Sequence, residues 1–464
     1  MRRPRLGLVS VYFGLFDDQM RAGFRADRER VAQGYADLLA SRLDAEVVYP
    51  GLLASDSDAD RANELFRGSP PDALVFAPSM AAPPSYAIRA LEGIPAPIVV
   101  WNAPAGGAMP SDLTQAQATE NSTQVGCVMA ANVLVRQNRE FAAVTAPPDD
   151  AAAVEELLRT VRAVLAASLL RGATALRVGA PIAGYLDVEA TAEELAQLGV
   201  VERTVTAAEL EDAFDAVDAA GARALLAGLE ARGWKHEPAA TDERSARLAL
   251  ALSGLVDDAS ARCGTVNCHG PVLRFGERIG ISACLGVSLL TERGVPFSCT
   301  GDQPAGLALL LARALSGRAL YCEFYAPELP SGLMLLAAGG EGDPAWADAS
   351  GPVRVEPNHH YPGVAGAGAS VSFRLQPGPA TVLSLSPAAT GWRLAWATGE
   401  IVETRFERMG GPNAMFRFDA GPSAESGARW IESGATHHNA LAAGRLDVEI
   451  PALTRALGVE SVRI

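Results

Sequence analysis

Two acids stand where an enzyme could use them. Asp302 closes the turn Cys299-Thr300-Gly301-Asp302, and Glu323 lies inside the apolar run LYCEFY. Around them the spacing predicts alternating helix and strand: an apolar helix over 285–291, a stop at Gly294, a strand over 295–299, a second apolar helix over 304–315 and a strand over 319–324. Ligands of open parallel sheets collect beyond the carboxyl ends of strands, which is where both acids fall. Asp302 is equally suited to capping the helix that begins at Pro304. Glu323 has no such structural use. An unpaired carboxylate in an apolar strand is costly, so it needs a basic partner or a ligand.

Other polar groups have weaker signatures. CGTVNCH, with Cys263, Cys268 and His269, is half of a zinc site, and two further soft ligands at short spacing are missing. His269 is also able to cap the turn that follows it. The paired histidines are His359-His360 in EPNHHYPG and His437-His438 in GATHHN. Neighbours in a strand face opposite ways, so one of each pair can reach a common metal unless the backbone turns, for which Gly434 provides a place. GAPIAG is not a GxGxxG fingerprint and no GxxxxGK[ST] occurs, so no nucleotide cofactor is expected.

The succession of CGTVNCHG, G-hydrophobic-P-x-x-C, GD, a leucine-rich helix, SGR and an acid inside the next strand resembles the L-fucose isomerase and L-arabinose isomerase family. That resemblance implies a metal-dependent aldose–ketose isomerase, usually with Mn²⁺, acting on an L-fucose- or L-arabinose-like sugar. It assigns Glu323 and His438 as metal ligands, Glu323 also as a catalytic group, and Asn267, His269, Thr300 and His437 as sugar contacts. The family pattern Cys-Glu-Gly-Asp reads Cys-Thr-Gly-Asp here, so Thr300 replaces a metal-binding catalytic Glu. SGLMLLAAGG contains no counterpart of a further histidine carried by the arabinose branch. Asp302, two residues along in the same turn, is the expected replacement base and a third metal ligand; Glu341 in the GGEGD loop is the fallback. The alternatives are a related non-isomerase enzyme on a polyol or keto acid, and an inactive sugar-binding homologue.

These groups need a scaffold. The 464 residues suffice for two or three domains. RLGLVSVY, EVVYP, DALVFAP and APIVVWNAP, separated by helical patterns, give a βαβ succession whose strand ends present Tyr12, Ser79 and Asn102. Residues 150–170 form a strongly amphipathic helix that ends at Gly172, and ATALRVG opens a second α/β unit. From 352 the period becomes that of short alternating strands with Gly and Pro turns, an antiparallel barrel or sandwich.

The expected fold class is therefore α/β, with two parallel-sheet α/β domains followed by a C-terminal antiparallel β domain, like the L-fucose and L-arabinose isomerases. The expected domains are 1–171, 172–350 and 351–464, the last returning His437 and His438 to the site. A net charge of −15 leaves no basic patch for nucleic acid or an anionic membrane. No apolar run is long enough to span a bilayer, no signal-peptide pattern opens the sequence, and six cysteines in this length make no disulfide framework, so a cytoplasmic location is expected. The resemblance also implies a homo-oligomer larger than a dimer, a trimer or hexamer, with sites built between subunits.

Overall fold

The computed structural model describes residues 2–270, 273, 276–358, 368–406 and 409–464. The pair His359-His360 lies outside the described residues. The chain divides into two compact units: Met1–Ser168 with Val448–Gly458, and Leu169–Asp447 with Val459–Ile464. Among the described residues no helix is long and apolar enough to cross a membrane.

The first unit is a doubly wound parallel sheet. Its strands are β1 (Arg5–Val11), β2 (Glu46–Val48), β3 (Leu52–Leu53), β4 (Ala73–Phe76), β5 (Ile98–Asn102) and β6 (Phe141–Thr145). They are ordered β2–β1–β4–β5–β6, with β3 beside β1. ALVF and IVVWN are buried along their whole length, as strands covered on both faces must be. The helix Ala151–Ala167 starts where the Asp150 carboxylate accepts from the amides of Ala152 and Ala153. Against it packs the helix Glu449–Leu457, which carries Glu449 into a 2.7 Å ion pair with Arg159.

The second unit holds a smaller parallel sheet: β7 (Thr174–Val178), β8 (Val201–Val205), β10 (Cys263–Val266) and β11 (Phe297–Cys299), ordered β11–β10–β7–β8, with β9 (Lys235–His236) lying apart. The remaining strands are β12 (Ala319–Glu328), β13 (Leu333–Ala337), β14 (Arg354–Pro357), β15 (Ala369–Ser372), β16 (Gly378–Pro387), β17 (Trp392–Glu403), β18 (Asn413–Phe418), β19 (His438–Ala443) and β20 (Glu460–Arg463). Six of them form an antiparallel ring, β16–β19–β12–β13–β18–β17, closed by pairing of β16 with β17. β20 adds to β17 in parallel, so the sheet is mixed rather than purely antiparallel. β15, β14 and β9 make a small separate sheet.

Two expectations change here. Residues 319–324 do not extend the parallel sheet; they are the start of β12, a barrel strand paired with β13 and β19. Nor does a separate unit begin at 351, because β12 and β13 share one hydrogen-bonded ring and one apolar core with the later strands. A strand with apolar residues on both faces suits either sheet, and only its long-range partners decide.

The helix Gln303–Ser316 joins the two sheets of this unit. Asp302 caps its start, its Oδ1 accepting from Ala305 N at 2.8 Å, and Gly317 ends it at φ +76°. Its residues from Gln303 to Ala312 are all buried, since it touches β10 and β11 as well as β12, β16 and β19. The approach to β10 is close: a Cβ on Gly306 would stand 2.5 Å from the Gly264 carbonyl oxygen.

Candidate active site

The turn after β11 is strained. Thr300 has φ +60° and Gly301 φ +84°. For a β-branched residue the left-handed region is unfavourable by about 1–2 kcal/mol, and such residues persist where their surroundings hold them. Gly301 has no room for a side chain, since its Cβ would meet Pro181 Cα at 2.7 Å. Thr300 Oγ1 donates to the Cys299 carbonyl at 2.8 Å and lies 3.3 Å from His438 Nδ1.

β12 brings the second acid to the same place. Glu323 is the register partner of His438, the first residue of β19. Cross-strand partners present their side chains on one face, so the pair is set by sheet geometry. Tyr321, two residues earlier, shares that face. Its ring lies 5.0 Å from His438, and among the described residues its buried hydroxyl has no hydrogen-bond partner. β13 then turns at Gly339-Gly340 and places Glu341, 2 % exposed, in the same wall. Among the described residues, neither oxygen of Glu341 meets a well-aligned donor.

The result is a cavity of about 110 Å³ lined by Glu323, Glu341, His437, His438, Thr300 and Tyr321, together with Cys268, Cys284, Cys299 and His269. Burial pushes the Glu341 carboxyl up to about 7, and the neighbouring charge of Glu323 adds to the effect. Burial also raises Glu323, against the pull of His438 and His437. The Cys299 thiol is raised by its hydrogen bond with Cys268 and by burial, which favours its protonated form.

Asp302 does not reach the cavity. It is fully buried behind His438, whose Nδ1–H donates to its Oδ2 at 2.8 Å while Oδ1 serves the helix. Both oxygens are committed, so the expected roles of Asp302 as base and metal ligand are corrected to that of orienting His438. Burial raises its pKa, partly offset by the bond from His438. Asn267 also departs from expectation. Its Nδ2 donates to the Ala180 carbonyl and its Oδ1 accepts from His269 N at 2.9 Å, so it shapes the neighbouring loops instead of lining this cavity. His269 does line it. His437 and His438 both do, with ring centroids 3.7 Å apart, because His437 precedes β19 and escapes strand alternation. His437 is held by Asp187, which accepts from Nδ1 at 2.6 Å. Burial works against the Asp187 anion, yet the bonds from His437 leave its pKa below the ordinary value.

Sequence reading passed over Tyr321, Asp187 and Cys284. Tyr321 was findable, since it stands two residues before Glu323 in one strand. Asp187 had no local signal.

Residues 318–460 match the family model described as the L-arabinose isomerase C-terminal domain, a stretch that includes Glu323, Glu341, His437 and His438. The match supports a sugar-isomerase relationship for the barrel. No curated protein matches the chain. Among solved structures, a periplasmic solute-binding protein of an ABC transporter from Actinobacillus succinogenes 130z, with bound D-allose, is 13 % identical over 57 % of this chain and 78 % of that chain, at a TM-score of 0.16. A similarity of that size says nothing about shared fold or ligand.

Proposed function

We propose that the chain is an aldose–ketose isomerase acting on an L-fucose- or L-arabinose-like sugar. The observation that carries this reading is the convergence of Glu323, Glu341 and His438 in one cavity on the barrel that matches the isomerase domain. Isomerisation removes the proton at C2 of the open-chain aldose, forms an enediol and returns a proton to C1, while a second proton passes from O2 to O1. Glu341, with its pKa near 7, is suited to take and return the carbon proton at neutral pH. Glu323 and His438 face the oxygens, and Asp302 keeps the imidazole in one orientation.

The donors suit a divalent cation in their chemistry: two carboxylates and an imidazole backed by a carboxylate. Among the described residues, however, no three His, Cys, Asp or Glu side chains are already gathered into a coordinating group. Glu323, Glu341 and His438 are the residues that would hold Mn²⁺. The cation, when bound, would polarise the carbonyl and the adjacent hydroxyl. Thr300 in place of the family Glu favours the second reading, a sugar-binding homologue without turnover.

The test is a panel of aldoses, with L-arabinose and L-fucose first, assayed with and without Mn²⁺ alongside metal analysis of the purified protein. The expected result is ketose formation that falls by about 10²-fold or more in both E323Q and E341Q. Sugar binding without turnover by the wild type would establish the homologue instead. The reading includes a cytoplasmic homo-oligomer, a trimer or hexamer.

A further inference from the structure

The reaction cavity opens beside a second, larger space. A cleft of about 810 Å³ lies at the carboxyl ends of β7, β8 and β10 and shares Ile182 and His269 with the acid cavity. It sits where the order β11–β10–β7–β8 reverses direction, between β7 and β10, the place where parallel sheets form ligand crevices. Clefts that enclose whole ligands are roughly 300–1,000 Å³. The acid cavity, at about 110 Å³, is below that range, whereas the adjoining cleft is within it. A substrate that fills both has a reacting end in the first and a body in the second.

The lining states the chemistry of that body. Among the described residues of the cleft, the Arg, Lys, Asp and Glu side chains are Arg177 and Glu202, which are paired with each other at 2.6 Å. No unpaired ammonium, guanidinium or carboxylate among them awaits a phosphate or an amine. Ile182, Ala183, Ala207 and Leu210 give the cleft an apolar surface. The entrance is firmly built, since Asn267 ties the 180 loop to the residue 269 turn and Gly179, at φ +84°, packs against the Asn267 side chain.

We infer that the preferred substrate is an L-arabinose- or L-fucose-like sugar carrying a neutral, apolar or aromatic substituent at the end remote from its carbonyl. The substituent occupies the cleft while the carbonyl end enters the acid cavity. This rests on the isomerase reading for the sugar end, and on the cleft alone for the substituent.

The experiment compares L-arabinose, 5-O-benzyl-L-arabinose and L-arabinose 5-phosphate by calorimetric binding and by turnover, in wild type and in A207W and A183W, each of which places an indole in the cleft. The expected result is about tenfold tighter binding of the benzyl compound than of L-arabinose, no gain for the phosphate, and a benzyl preference that falls to about one in either variant. Equal binding of benzyl compound and parent sugar, no binding of the benzyl compound, a gain for the phosphate, or a benzyl preference that survives both variants overturns the inference. Turnover of plain L-arabinose without a benzyl preference would reject the cleft and leave the isomerase reading intact. A benzyl preference lost in the variants, with no turnover of any sugar, would uphold the cleft and reject the isomerase.

Discussion

At the scale of the residue, the site depends on carboxylates in different situations. Asp302 is spent on structure, and its effect on chemistry passes through His438. In D302N, Oδ1 can still accept from Ala305 N, so thermal stability should change little, but an amide facing Nδ1 forces the other imidazole tautomer. Mn²⁺ affinity measured by calorimetry is expected to fall about 10–100-fold; unchanged affinity would show that Asp302 does no more than cap the helix. Burial, helped by the charge of Glu323, raises the Glu341 pKa from 4.5 to about 7 on folding. Below pH 4.5 the group is neutral in both states and costs nothing. As pH rises from 4.5 through about 7 the unfolded chain ionises first, so stability is lost over that window and is then level. The loss is about 3 kcal/mol on the scale of roughly 1.4 kcal/mol per pH unit. Melting temperatures of the wild type against E341Q, taken without metal between pH 4.5 and 8, should show a steeper fall with pH in the wild type than in the variant.

At the scale of the element, the helix Gln303–Ser316 positions the turn that carries Thr300 and Asp302. Its seat on β10 is a glycine contact, Gly306 over Gly264. Propensity alone favours Ala over Gly in a helix, by about 1 kcal/mol. Here the added methyl would come within 2.5 Å of the Gly264 carbonyl, so sterics should win. G306A is expected to lower stability in urea by about 1–3 kcal/mol, and a stabilised variant would show that the helix is not seated so closely.

At the scale of the molecule, the chain leaves the first unit at Ser168, builds the second, and returns to the first with Val448–Gly458. Within the first unit the helix Thr123–Arg136 shows Val125, Val128 and Val135 to solvent at 50 %, 57 % and 66 % exposure. Residues spaced in this way share one helical face, and an apolar stripe left outward is a natural seat for another copy of the chain. Light scattering at micromolar concentration is expected to give a trimer or hexamer, and V128E to shift it toward monomer. A monomeric wild type would reject assembly altogether.

What the sequence determined by itself was local. Asp302 and Gly317 mark the ends of an apolar helix because capping and the left-handed stop act within a turn of the chain. Glu323 stood out because a carboxylate among apolar residues needs an explanation at any position in any fold. The turn from parallel to antiparallel architecture was legible from the change of period, but the place where it happens was not. Residues 319–324 carry apolar groups on both faces, and their pairing with β13 and β19 is a choice among distant partners. Tertiary structure decided that Glu341 joins Glu323, that Asp302 faces the back of His438, and that both His437 and His438 reach one cavity. Each of those outcomes depends on which strand ends meet, and that is settled by closure of the barrel and by the helix wedged against it, interactions that no short stretch of sequence contains.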